Sequence, residues 1–125
     1  MLEFEHVTPV LRIFDVTKAR EFYVGFLGFE IDFEHRYGEG FPLYMGISRS
    51  GCQLHLSEHH GDACPGALVR IATRDIDRLQ AELSGKNYTY AKPGRPEATP
   101  WGTRELGLTD PFGNRLIFAD MSSWT

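Results

Sequence analysis

The sequence predicts an α+β fold of two β-α-β-β-β units whose curved mixed sheets form a cup, and three observations carry that prediction. A strand-like run leading to a capping aspartate occurs twice, sixty positions apart. The segment after each aspartate has the apolar spacing of a helix. A glycine-led strand closes each half. Self-similarity over such a period marks a repeat of one supersecondary unit. The units cover about residues 4–60 and 66–121 of what reads as one domain, 1–125.

The elements follow in order. Val7-Thr8-Pro9-Val10-Leu11-Arg12-Ile13 is strand-like, and Asp15 is placed to cap the next helix. Ala19, Phe22, Tyr23 and Phe26 share one helical face, and Gly28 stands where a helix ends in the left-handed conformation. Residues 30–36 and 41–47 read as strands around a Gly38/Gly40 turn, and Gly51-Cys52-Gln53-Leu54-His55-Leu56 as the closing strand. The second unit repeats the plan. Ala67-Leu68-Val69-Arg70-Ile71-Ala72-Thr73 leads to Asp75 as the cap; Ile76, Leu79 and Leu83 form the helical face, and Gly85 the stop. A Pro/Gly-rich loop over 92–100 precedes a strand at 103–109, and Gly113-Asn114-Arg115-Leu116-Ile117-Phe118 closes the unit.

Alternation assigns the faces. Leu11, Ile13, Leu54, Leu56, Val69, Ile71, Leu116 and Phe118 face the helices. The opposite face carries Thr8, Val10 and Arg12; Gln53, His55 and Ser57; Leu68 and Arg70; Arg115 and Ile117. That surface is mixed enough in polarity to line a pocket.

Apolar residues at 42% suffice for a core, and a net charge of −4 from 13 basic and 17 acidic side chains argues against nucleic acid as partner. No apolar run spans a bilayer and no leader is visible, so the expected compartment is the cytoplasm. Cys52 and Cys64 lack metal or redox spacing and read as free thiols. There is no phosphate-binding loop and no nucleophile–base constellation, so no catalytic residue is assigned.

His6-Val7-Thr8-Pro9-Val10-Leu11, Glu21-Phe22-Tyr23, Leu27-Gly28-Phe29, Pro100-Trp101-Gly102-Thr103-Arg104-Glu105 and Asp110-Pro111-Phe112-Gly113-Asn114-Arg115 together resemble the bleomycin-resistance branch of the glyoxalase/bleomycin-resistance/extradiol-dioxygenase (vicinal oxygen chelate) superfamily. The resemblance implies a homodimer, with the N-terminal strand exchanged near Pro9 and two interfacial crevices. It implies capture of a cationic glycopeptide antibiotic, or a similar small molecule, without chemistry, cofactor or metal. The implied ligand contacts are Asp32, Phe33, Tyr44, Ser57, Trp101 and Gly102, with His55 and Arg70 as further pocket residues.

Arg70 stands where a binder of this branch has an aromatic, and a fixed cation there repels a cationic drug unless Asp32 or Glu34 pairs with it. The superfamily's metal enzymes are similar in plan, and their ligand positions fall here on Thr8, His55, Leu68 and Ile117. Only His55 coordinates a metal well, whereas a catalytic site takes about three protein ligands. The alternative, a divalent-metal lyase, dioxygenase or isomerase, needs further donors such as His6, His35, His59 or Glu105. Each candidate also has a plain structural role open to it: Tyr44 as a packed strand residue, Glu30, Asp32 and Glu34 as a solvated edge, and His55 as a hydrogen-bonded sheet residue.

Overall fold

The computed structural model describes residues 1–124. The first unit contains β1 (Val10–Arg12), β2 (Glu30–His35), β3 (Tyr44–Arg49) and β4 (Cys52–Ser57), in spatial order β1-β4-β3-β2. The second contains β5 (Leu68–Ala72), β6 (Glu97–Ala98), β7 (Arg104–Thr109) and β8 (Arg115–Asp120), in order β5-β8-β7-β6. In each sheet the first strand runs parallel to the fourth and the other pairs are antiparallel. A helix crosses between the first two strands of each unit: α1 (Val16–Ala19), which continues as a π-helical stretch (Arg20–Phe26), and α2 (Ile76–Gly85). This is the β-α-β-β-β plan, twice.

Four local expectations need correction. β1 begins at Val10, because Pro9 has no N–H to offer and contributes only its carbonyl, which accepts from His55 N. The Pro/Gly-rich loop contains a short strand, β6, paired with β7. Asp75 is left-handed, at φ 56°, and its side chain makes no capping bond, unlike Asp15, which accepts from Lys18 N at 3.0 Å. Gly85 lies within α2, and the residue that turns the chain beyond it is Asn87, at φ 51°. Gly28, at φ 75°, does end the first helix.

The π-helical stretch was not signalled by spacing. Its register shows in Leu27 N donating to Phe22 O, a five-residue step. It turns Phe22, Tyr23 and Phe26 all inward.

The helix-facing residues of both sheets share one buried cluster, with Ile47, Leu54 and Leu56 from the first unit and Leu106, Leu116 and Phe118 from the second. The helical elements help to join the units, as Phe26 stacks on Tyr88 at 4.9 Å between ring centroids. Polar bonds complete the junction. The buried Tyr23 hydroxyl donates to Asp110 at 2.5 Å, and Asn114 Nδ2 donates to Arg12 O at 2.9 Å. Arg49 forks onto Glu82 at 2.8 Å and donates to Leu27 O at 2.7 Å. Both sheets turn their helix sides to this common core, so each leaves its other face open. Among the described residues, no helix is long and apolar enough to cross a membrane.

Candidate functional site

The open face of the first sheet is built by register. Gly46 sits opposite His55 on β4 and Phe33 on β2, so all three positions share one face. Having no side chain, Gly46 lets the Phe33 ring lie flat on the strand; a Cβ there would stand 2.2 Å from Phe33 Cε2. Phe33 stacks near-parallel to Tyr44 at 6.2 Å and meets His55 edge-on at 5.3 Å. The Tyr44 hydroxyl and His55 Nδ1 share a hydrogen bond of 2.7 Å. Desolvation, then the charge of Asp62, raises the Tyr44 phenol above its ordinary range. An irregularity in β2 between Ile31 and Phe33 turns Asp32 onto this face as well, where it accepts from Ser48 Oγ at 3.0 Å. Ser57 is buried rather than lining the surface. It donates to Asp62 at 2.6 Å and accepts from His59 N, so it orders the loop beside Tyr44.

The open face of the second sheet is organised by Glu105. Its carboxylate accepts from Arg70 Nη2 at 2.6 Å, Thr103 Oγ1 at 2.6 Å and Trp101 Nε1 at 3.1 Å. These donors, Arg70 first, hold its carboxyl down at about 2. The partner of Arg70 is thus Glu105, and neither Asp32 nor Glu34. Glu34 faces the helix side and pairs with Arg20, and Asp32 belongs to the other sheet. Trp101 is 56% exposed, and Gly102 beside it adopts φ 90°, a turn that favours glycine. The surrounding cleft, about 460 Å³, includes Arg95, Glu97, Trp101, Glu105, Gly107 and Ile117.

The expected contacts thus form two groups, Asp32, Phe33, Tyr44 and His55 on one face, and Arg70, Trp101 and Gly102 on the other. Among the described residues, no hydrogen bond, ion pair or ring contact joins them. Glu105 is the residue that reading for ligand contacts missed. Its spacing of four from Trp101, on the penultimate strand, is the available signal.

The superfamily's metal chemistry does not fit these side chains. Leu68 and Ile117 offer no donor atom, and one His55 nitrogen is engaged by Tyr44. Of the further donors, Glu105 is engaged by Arg70, Trp101 and Thr103, and His35 and His59 pack on Tyr37. Among the described residues, no three His, Cys, Asp or Glu side chains are grouped to hold an ion.

The chain matches the family model described as glyoxalase superfamily protein over residues 1–123. Among solved structures, the bleomycin-binding protein of bleomycin-producing Streptomyces verticillus, complexed with copper(II)-bleomycin, is 30% identical. That match covers 96% of this chain and 98% of that one, with a TM-score of 0.73. TnmS3, an antibiotic binding protein from Streptomyces sp. CB03234, is 26% identical over 96% and 98% of the two chains, at a TM-score of 0.74. A glyoxalase/bleomycin resistance protein/dioxygenase superfamily member from Sphaerobacter thermophilus DSM 20745 is 26% identical over 95% and 98%, at 0.70. No curated protein matches the chain.

Proposed function

The chain belongs to the glyoxalase superfamily, and from that premise we propose that it is a binding protein rather than an enzyme, one that sequesters a small-molecule antibiotic of the bleomycin type or a similar compound. The observation that carries this reading is the composition of the two open faces. Each presents aromatic surface held in place by hydrogen bonds, and neither presents the donor set that superfamily metal chemistry requires. Flat aromatic faces with nearby charge capture ligands by stacking, each cation–aromatic contact contributing roughly 0.5–2 kcal/mol. The antibiotic-binding relatives named above support the same reading.

In this proposal residues 1–125 act as one domain and two copies associate. The Phe33–Tyr44–His55 face of one copy then opposes the Trp101 face of the other, giving two crevices. Asp32 supplies negative charge, Gly102 lets the backbone approach, and Ser57 orders the rim. The N-terminal arm supports association, since Leu2, Phe4 and Val7 are 83, 93 and 89% exposed and await cover.

The test is a titration with metal-free and copper-loaded bleomycin, read by calorimetry and by melting temperature. Saturable binding, recovery of unchanged drug and a melting point that climbs with drug concentration are expected. An unmoved melting curve at excess drug removes the bleomycin assignment. A stoichiometric metal ion lost on His55→Ala, with turnover depending on it, removes the binding-protein reading altogether.

A further inference from the structure

The charge of the ligand is written in the hydrogen bonds of Glu105. A carboxylate offers about four acceptor positions. Here Arg70 Nη2, Trp101 Nε1 and Thr103 Oγ1 all donate to Oε2, and Arg70 Nη1 reaches Oε1 at 3.5 Å. The negative charge of Glu105 is thereby matched within the face by Arg70. The rest of this face leans the same way. Arg115 lies opposite Leu68 on β5, two positions along the face from Arg70, and Arg95 lines the cleft. Against these three guanidinium groups stand two carboxylates, Glu105 and Glu97, which face each other across the β6–β7 pair. The Arg70 side chain is 38% exposed, so part of its donor fork still reaches solvent.

A cationic ring resting beside Trp101 therefore meets a like charge. A ring with a carboxylate or sulfonate at its edge meets the N–H groups that Arg70 does not give to Glu105, on a guanidinium already held in position. We infer that the second-sheet face selects flat aromatic ligands bearing an anionic edge group, with Arg70 reading that charge and Glu105 positioning both Arg70 and Trp101. The inference rests on the binding reading of the same face and refines its ligand class.

A matched pair of probes tests it: acridine-9-carboxylate, an anion at neutral pH, and 9-aminoacridine, a cation. Each is titrated into the full chain and into Arg70→Gln, Glu105→Gln and Trp101→Ala, by calorimetry and tryptophan fluorescence, with bleomycin alongside. The carboxylate is expected to bind about tenfold tighter than the amine, the size of a charge-assisted hydrogen bond. Arg70→Gln should bring the two probes to near equality with an unchanged melting curve, and Trp101→Ala should weaken both. Glu105→Gln should weaken both while keeping the anion preference and shifting Trp101 emission, which a purely structural glutamate would not do. Tighter binding of the amine, or an anion preference that survives Arg70→Gln, overturns the inference and leaves the binding reading standing. So does saturation by bleomycin alone. If neither acridine nor bleomycin saturates, the inference and the binding reading fall together.

Discussion

Gly46 and Glu105 decide what the two open faces can do. Gly46 is the floor under Phe33, and any side chain there displaces the ring. Gly46→Ala should cost roughly 1–3 kcal/mol in chemical denaturation, the usual range for overpacking. It should also weaken any ligand that stacks on Phe33, measured by titration at matched folded fraction. Glu105 makes a pH prediction whose sign follows from its depressed carboxyl. Its bonds to Arg70 and Trp101 are lost only as pH falls through about 2, where the folded carboxyl takes up its proton, while the stability they contribute declines from the ordinary glutamate value of 4.5 down to there. In a Trp124→Phe background, where Trp101 is the remaining tryptophan of two, emission should be constant from pH 7 to about 3 and change as pH falls through about 2. Glu105→Gln should abolish that transition; a transition that persists in the variant assigns it to another group. At this scale the sequence revealed which residues share a face, because alternation along a strand is local. It did not reveal that Arg70 pairs with Glu105, because that contact depends on how β5, β8 and β7 are ordered.

The helical elements show the same division between local and non-local information. Asp15 caps as its residue type suggests, and the apolar faces of both helices turn to the core as their spacing suggests, with Leu79 only partly buried. The π-helical stretch, the left-handed Asp75 and strand β6 escaped the reading because packing imposes them against weak local preference. The tight union of the units at Tyr23 was equally hidden, since its partner lies 87 residues away. Burial first, and the Asp110 carboxylate second, push the Tyr23 phenol far above its ordinary range, so it stays protonated as a donor. Asp110 also accepts from Phe112 N, Asn114 N and Asn114 Nδ2, each at 2.8 Å, so the hydroxyl completes a filled network. Tyr23→Phe removes one hydrogen bond to a charged acceptor and leaves the ring packing intact. It should cost about 1.5–3 kcal/mol in urea denaturation. A loss below about 0.5 kcal/mol would show that the bond adds little net stability and that ring packing carries this junction.

At the scale of the molecule, each sheet turns its open face away from the common core, and the proposed crevice takes Tyr44 from one chain and Trp101 from another. The binding reading therefore commits to two copies, and a complementation experiment separates that arrangement from a site within one chain. Tyr44→Ala and Trp101→Ala, each alone, should bind bleomycin or an acridine probe weakly. Each variant can donate its intact face to the other. After mixing and subunit exchange, half the dimers are mixed, and each mixed dimer has one crevice with both Tyr44 and Trp101 intact. About one crevice in four should then regain full affinity, by the symmetry of a twofold dimer. A site contained in one chain regains nothing on mixing. Removal of residues 1–7, which takes away the exposed Leu2, Phe4 and Val7, should shift sedimentation toward the monomer and abolish the recovery. If the shortened chain stays monomeric at high concentration yet binds as tightly as the full one, the ligand needs only one face. Tyr44→Ala and Trp101→Ala then identify it, because one of them should leave affinity untouched.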